Sequence, residues 1–307
     1  MVMAKTIIFT DLDGTLLHPQ TYSFDAAMPA LKLIKEKNIP LIFCSSKTRA
    51  EIEVWRKKLD NVHPFISENG GGIFVPEMYF GFRISDFGIK RTEITTLSAF
   101  ANKYETVVTG KPYEDIRNAF VKLRNKFKVS ARGFGDMSVK EIAALAGLTL
   151  TEARLAKQRE FDEPFMFEDN PPLPLGTDFI RSAGGGRTVP KGGMGKVEEF
   201  LKAIEDSGLH WTQGRFYHIL GDNDKGKAVT MLKEFYKKAY GRIKTIGLGD
   251  KFNDLSLLQE VDYPVLVQDE KGSYDTRVNM PNLITGDGIG PEGWNKEVIK
   301  LIGIGVT

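Results

Sequence analysis

The chain has 307 residues, 41% hydrophobic and 27% charged, which is enough for one large or two modest domains with a substantial core. Its formal net charge of +2 gives no global argument for nucleic acid or membrane binding, and no run approaches the roughly 18 apolar residues of a membrane span. The single cysteine, Cys44, excludes an intramolecular disulfide framework. With no signal-peptide pattern at the N-terminus, the expected location is cytoplasmic.

The first predicted element is a buried strand over Ile7 to Thr10, which runs straight into Asp11-Leu12-Asp13-Gly14-Thr15. Two carboxylates that close at the carboxyl end of a strand raise each other's pKa unless a proton or a cation intervenes. Mg2+, bound by one or two carboxylates plus phosphate and water, settles that conflict. Read alone, the segment serves equally well as a strand-to-turn connection. A helix over Phe24 to Glu36 and a strand over Leu41 to Cys44 follow, then Ser45-Ser46-Lys47-Thr48-Arg49 and a helix over Arg49 to Leu59. Hydroxyl and backbone N–H donors at a strand end that feeds a helix suit a phosphoryl oxygen. Pro64 to Ser67 reads as a short strand, ending in Glu68 and the turn Asn69-Gly70-Gly71-Gly72. Repeated strand–helix–strand units predict an α/β fold with a doubly wound, parallel, Rossmann-like sheet, whose ligands sit outside the carboxyl ends of the strands.

From about Phe82 to Leu220 the alternation is less regular. Glu114 to Phe127, Ser138 to Ala146 and Gly192 to Asp206 read as helices, and Phe216 to Leu220 as a strand. Gly176 to Arg181 and Arg187 to Pro190 read as strand ends or loops. A second α/β domain over residues 82–220 is therefore expected, inserted into a core made of 1–81 and 221–307. The regular pattern resumes with Asp224-Lys225-Gly226-Lys227 ahead of an amphipathic helix, Ala228 to Tyr240. The strand Thr245 to Gly249 then ends in Asp250-Lys251-Phe252-Asn253-Asp254. If a helix starts there, Asp250 and Asp254 share one of its faces. Gly193-Met194-Gly195-Lys196 and Gly288 to Gly293 imitate nucleotide-binding loops but lack the flanking residues those loops need, and read as turn glycines.

The series Asp11-x-Asp13-Gly14-Thr15, Ser45, Lys225 and Gly249-Asp250-x-x-Asn253-Asp254 resembles the haloacid-dehalogenase superfamily of phosphotransferases. Within it, the chain is most similar to the mannosyl-3-phosphoglycerate phosphatases. That resemblance rests on Cys44 to Arg49, Ser67 to Gly71, Arg159 to Phe165, Gly214 to His218 and Gly290 to Trp294, which span nearly the whole chain. It implies a catalytic core with an inserted α/β cap, Mg2+ as cofactor, and phosphomonoester hydrolysis through an aspartyl-phosphate. It further implies Asp11 as nucleophile, Asp13 as acid and then base, Ser45 as a donor to the phosphoryl group, and Lys225 as the neutralising cation with Lys227 as the alternative. Asp11, the Asp13 carbonyl and Asp250 are the implied metal ligands, with Asp254 either a ligand or the residue that orients Lys225.

The expected partner is a small sugar phosphate carrying a glycerate carboxylate. Glu68, Asn69 and Gly70 are candidates to read sugar hydroxyls, and Ser46, Lys47 and Arg49 to meet an anionic group. Arg181 and Arg187 flank Ser182-Ala183-Gly184-Gly185-Gly186, a pattern that suits a carboxylate but equally a solvated surface. Glucosyl-3-phosphoglycerate and sucrose phosphate are alternative substrates. A phosphomannomutase-type phosphotransferase and a non-catalytic sugar-phosphate-binding module are alternative classes.

Overall fold

The computed structural model describes residues 4–77, 79–81, 104–168 and 194–303. The apolar run ahead of Asp11 becomes β1 (Lys5–Thr10), followed by α1 (Met28–Glu36), β2 (Leu41–Cys44), α2 (Arg49–Lys58), β3 (Phe65–Ser67), β4 (Gly72–Pro76) and β5 (Tyr104–Val108). The middle of the chain forms α3 (Tyr113–Phe127), β6 (Ala131–Gly133), α4 (Val139–Ala146), α5 (Leu150–Ala156), β7 (Asp162–Phe167), α6 (Met194–Asp206), β8 (His210–Gln213) and β9 (Tyr217–Leu220). The last part supplies α7 (Lys225–Tyr240), β10 (Ile243–Gly249), α8 (Leu255–Gln259), β11 (Tyr263–Gln268), β12 (Ile284–Ile289) and α9 (Pro291–Gly303). Thr48, Ser138 and Thr149 close reciprocal caps with the glutamates three residues on, which defines where α2, α4 and α5 begin.

The chain divides into two compact units, one up to Thr109 and from Asn223 onward, the other Gly110–Asp222. In the first, the described strands make one sheet in the order β12-β11-β10-β1-β2-β3-β4-β5. The strands from β12 to β3 run parallel, and β4 and β5 extend the sheet antiparallel. Central β1 is covered on both faces, which explains its unbroken apolar run. Ile7 and Phe9 pack into one cluster with Val229 and Leu232 of α7. On the other face, Thr10 Oγ1 accepts a hydrogen bond from Trp294 Nε1 of α9 at 3.0 Å. The ends of β1, β2 and β10 therefore open at one edge of the sheet, carrying Asp11, Ser45 and Asp250.

The second unit holds an antiparallel sheet in the order β6-β7-β9-β8. Side chains alternate across it, as the pleat dictates. Phe165 and Phe167 of β7 pack with Phe120 of α3 and Phe200 of α6, whereas Met166 packs with Ile142 of α4, Ala153 of α5, Phe134 and Phe216. Arg159, Asp162 and Glu163 supply a buried charge network. Asp162 accepts from Arg159 Nε at 2.8 Å and pairs with His218 Nδ1 at 2.9 Å. Glu163 accepts from Tyr113 Oη at 2.7 Å, Arg117 at 3.1 Å and the Gly135 N–H at 3.0 Å. Burial raises the Asp162 pKa, but the Arg159 and His218 charges outweigh it and hold the carboxyl down at about 2.

Several boundaries differ from expectation. The second unit begins at Gly110 rather than near residue 82, because β5 pairs with β4 and so belongs to the larger sheet. The glycine turn after Asn69 leads directly into β4, a strand that an alternation of strands and helices does not anticipate. Helix α5 is additional, and α7 starts at Lys225, three residues before Ala228. Asp250 and Asp254 do not share a helix face, since a short 3-10 turn over Phe252–Asp254 precedes α8. Gly192 and the segments Gly176 to Arg181 and Arg187 to Pro190 lie outside the described residues. No helix among the described residues is long and apolar enough to cross a membrane.

One half-buried histidine makes stability depend on pH. His63 Nδ1 lies 2.6 Å from Tyr79 Oη, and Tyr236 Oη donates to Tyr79 Oη at 3.1 Å. Burial first, then Arg56 and Lys5, push the His63 pKa from 6.5 down to about 4. The unfolded chain therefore binds the proton more readily, and stability falls as pH drops from 6.5 to about 4. His63→Gln, which keeps a neutral partner for Tyr79, is expected to flatten that slope in denaturant titrations across the interval. An unchanged slope would contradict the assignment.

Candidate active site

Asp11 emerges from β1 with its backbone N–H donating to the Leu248 carbonyl at 2.9 Å, so the parallel pairing with β10 aims it beside Asp250. Its side chain is 6% exposed. Oδ1 accepts from Lys225 Nζ at 2.6 Å, and the same ammonium donates to Asp254 Oδ1 at 2.6 Å. Lys225 is 1% exposed in the first turn of α7, whereas the alternative cation Lys227 is 51% exposed in its side chain and lies 4.0 Å from Asp224. Of the two lysines, Lys225 is the one that meets Asp11. Burial pushes the Asp11 pKa up to about 8 against the pull of Lys225, with Asp254 and Asp250 adding repulsion. Burial alone would lower the Lys225 pKa, but Asp11 and Asp254 hold the ammonium well above the ordinary lysine value.

Asp250 is held from two sides. Thr15 Oγ1 donates to its Oδ1 at 3.2 Å, and Lys251 Nζ lies 3.2 Å from its Oδ2. Burial raises its pKa to about 6, opposed by Lys251. Asp254 uses both oxygens within the protein: Oδ1 meets Lys225, and Oδ2 accepts from the backbone N–H groups of Asp250 and Lys251 at 3.0 and 3.3 Å. Asp11, Asp250 and Asp254 place carboxylate oxygens within 4.8 Å of one another. Hard oxygen donors on strand ends, with excess negative charge that burial makes costly, fit a divalent cation. The donors open to it are Asp11 and Asp250; Asp254 instead orients Lys225 and the backbone at Asp250.

Asp13 has an unpartnered, nearly inaccessible Oδ1, while its Oδ2 pairs with Lys47 Nζ at 2.8 Å. Ser45 is buried, and its Oγ accepts from the Lys47 N–H at 3.3 Å. Arg49 pairs with Glu53 at 3.2 Å, and Ser46 is half-buried. Lys47 and Arg49, expected to meet a substrate anion, are thus engaged with carboxylates of the chain itself. Glu68 and Asn69 are buried and adopt left-handed backbone with φ of 46° and 53°. Such conformations in non-glycine residues persist where surrounding structure over-determines them. Here Asn223 Nδ2 donates to both their carbonyls at 3.4 and 3.3 Å, and the Asn69 N–H donates to the Ser45 carbonyl at 3.1 Å. Arg181 and Arg187 lie outside the described residues.

Thr15, Asn223 and Lys251 were not singled out from the sequence. Thr15 closes the first motif and Lys251 follows the last acidic one, so position was the available signal; nothing local marks Asn223. Cys44 is buried, and burial pushes its thiol up and keeps it protonated, in keeping with a space-filling role. Gly70 has φ of +93°, and a Cβ there would come 2.1 Å from the Asp224 carbonyl oxygen, the residue that caps α7 ahead of Lys225. Gly70→Ala is expected to cost about 1–3 kcal/mol of stability and to lower turnover by displacing Lys225. Unfolding titrations and steady-state rates on the same variant check this; wild-type values in both would refute it.

Residues 8–109 match the model of a haloacid dehalogenase-like hydrolase family. A glucosyl-3-phosphoglycerate/mannosyl-3-phosphoglycerate phosphatase of Methanococcoides burtonii is 43% identical over 97% of this chain and 98% of its own length. A mannosyl-3-phosphoglycerate phosphatase of Pyrococcus horikoshii is 33% identical over 85% of this chain and 90% of its own. A crystal structure of Thermoplasma acidophilum 0175 shares the fold, with a TM-score of 0.63 at 14% identity over 98% of this chain and 100% of that one. With an acidic cluster at the strand ends, a lysine bridging two of its members, and similarity running almost end to end, the chain belongs to the haloacid dehalogenase-like hydrolases, among the phosphatases related to the glucosyl- and mannosyl-3-phosphoglycerate enzymes.

Proposed function

We propose that the protein is a Mg2+-dependent phosphomonoester hydrolase that converts mannosyl-3-phosphoglycerate to mannosylglycerate and phosphate, and accepts the glucosyl counterpart. The observation that carries this reading is the buried Asp11–Lys225–Asp254 bridge at the end of β1, in a chain 43% identical to a relative named for both substrates. Residues 110–222 would act as the cap that admits the sugar.

Phosphate monoesters hydrolyse so slowly unaided that acceleration of up to ~10²¹-fold is required of such enzymes. Lys225 holds Asp11 through Oδ1, so Oδ2 is the oxygen that attacks phosphorus. As the Asp11 O–P bond forms, the bond to the ester oxygen breaks and Asp13 gives that oxygen its proton. Asp13, now a carboxylate, takes a proton from water, whose oxygen bonds phosphorus while the Asp11 O–P bond breaks. Ser45 and the backbone N–H groups beside it donate to the phosphoryl oxygens, and Lys225 offsets charge on Asp11 throughout. Asp11, Asp250 and the Asp13 carbonyl would hold Mg2+, which would supply positive charge to offset repulsion between carboxylate and phosphate dianion.

Phosphate release from mannosyl- and glucosyl-3-phosphoglycerate, sucrose 6-phosphate and mannose 1-phosphate tests the substrate. The expected result is Mg2+-dependent release dominated by the first two; release led by another compound would discard the substrate assignment. Metal binding has its own readout. Mg2+ at 100 times its dissociation constant is expected to stabilise the wild-type protein by about 2.7 kcal/mol. Asp250→Asn is expected to lose most of that gain, and an equal gain in both would remove Asp250 from the site.

A further inference from the structure

The contacts around Asp13 form a chain of restraint that starts in a helix. Glu51 stands three residues after the N-cap Thr48, and its Oε2 accepts from the Thr48 N–H at 2.9 Å and from Thr48 Oγ1 at 3.0 Å. Its other oxygen, Oε1, lies 3.5 Å from Lys47 Nζ. Lys47 is buried, its ammonium also lies over the Tyr22 ring at 5.3 Å from the centroid, and its remaining close contact is Asp13 Oδ2 at 2.8 Å. Asp13 Oδ1, nearly inaccessible, has no hydrogen-bond partner. One carboxylate oxygen is held by the ammonium and the other is enclosed, while the side chain as a whole is 39% exposed.

We propose that Lys47, anchored by Glu51, is a positioning residue that holds the Asp13 carboxyl in one placement beside the reacting oxygens. This assignment rests on the phosphatase reading above and adds a role to a lysine that composition alone would offer to the substrate. A mobile aspartate on a loop would sample several rotamers, whereas one tied to a buried ammonium keeps the placement that proton transfer needs. Glu51 serves both ends of the arrangement: it starts α2, and its Oε1 gives the Lys47 ammonium a second anionic anchor. The capping box and the acid–base group are thus one mechanical unit.

The consequence is sensitivity to the leaving group. An ester whose oxygen departs easily needs little help from an acid, whereas a basic oxygen needs much, and general acid–base catalysis contributes roughly 10²–10⁴-fold. The test compares phenyl phosphate with p-nitrophenyl phosphate, two aryl esters without a carboxylate whose leaving groups differ in acidity, and follows the burst of phenol release in rapid-quench experiments with Mg2+. Lys47→Met is expected to widen the ratio of p-nitrophenyl to phenyl rates about tenfold or more relative to wild type. Lys47→Arg should bring the ratio back towards wild type, and Glu51→Gln, which retains a capping group, should widen it to a lesser extent. Circular dichroism confirms that each variant is folded; if Lys47→Met is not, Glu51→Gln carries the comparison. Equal losses on both probes, or none, overturn the assignment. A wild-type enzyme that releases phosphate from neither these probes nor the sugar phosphates overturns the phosphatase reading, and this assignment with it.

Discussion

Everything at the acidic edge of the sheet depends on one buried ammonium shared by two carboxylates. Lys225 Nζ sits 2.6 Å from Asp11 Oδ1 and 2.6 Å from Asp254 Oδ1, with almost no access to solvent. Removing one partner from a buried pair leaves an uncompensated charge, at a cost of about 3–5 kcal/mol. Such a bridge is retained where function needs charge in a place that stability alone would leave apolar. Even with Lys225 in place, burial pushes Asp11 to about 8 and Asp250 to about 6, and the neighbouring carboxylates add repulsion. The cluster is short of positive charge by design, and a divalent cation is the group that balances it.

The fold produces that crowding from ordinary elements. Parallel pairing of β1 with β10 on one side and β2 on the other brings Asp11, Asp250 and Ser45 to one edge although they are far apart in sequence. The connection between β3 and β4 then folds back, with Asn69 bonded to Ser45 and Glu68 to Lys47 through their backbones. Glycine lets two of these approaches happen. A Cβ on Gly14, at φ +83°, would meet Asp250 Oδ2 at 2.4 Å, and one on Gly70 would meet the backbone of Asp224.

What the sequence made legible was local. Asp11, Asp13, Ser45 and Asp250 stand in short motifs directly after apolar strands, so motif and element reinforce each other. Lys225 and Lys227 could not be separated that way, because the decision turns on where α7 begins: starting at Lys225, the helix buries that lysine and leaves Lys227 in solvent. Strand β5 falls within the expected insertion over 82–220 yet pairs with β4, because five residues carry too little pattern to reveal a partner more than 25 positions earlier. Helix α5 is seven residues long, too short for periodicity to show. Lys47 looked like a substrate cation because side-chain pairing with Asp13 and Glu51 is a tertiary fact. The same limit applies to Asn223, whose bonds to Glu68 and Asn69 cross more than 150 residues of chain.

The central claim is that Asp11, held by Lys225, forms a covalent bond to phosphorus. Mixing the enzyme with phosphate-labelled mannosyl-3-phosphoglycerate and Mg2+, quenching in acid within the first turnover and mapping the labelled peptide tests it directly. The account predicts label on the peptide that contains Asp11, released by hydroxylamine as an acyl-phosphate should be, and absent from Asp11→Asn. Phosphate release at full rate with no labelled peptide in the first turnover, or undiminished turnover by Asp11→Asn, would contradict it.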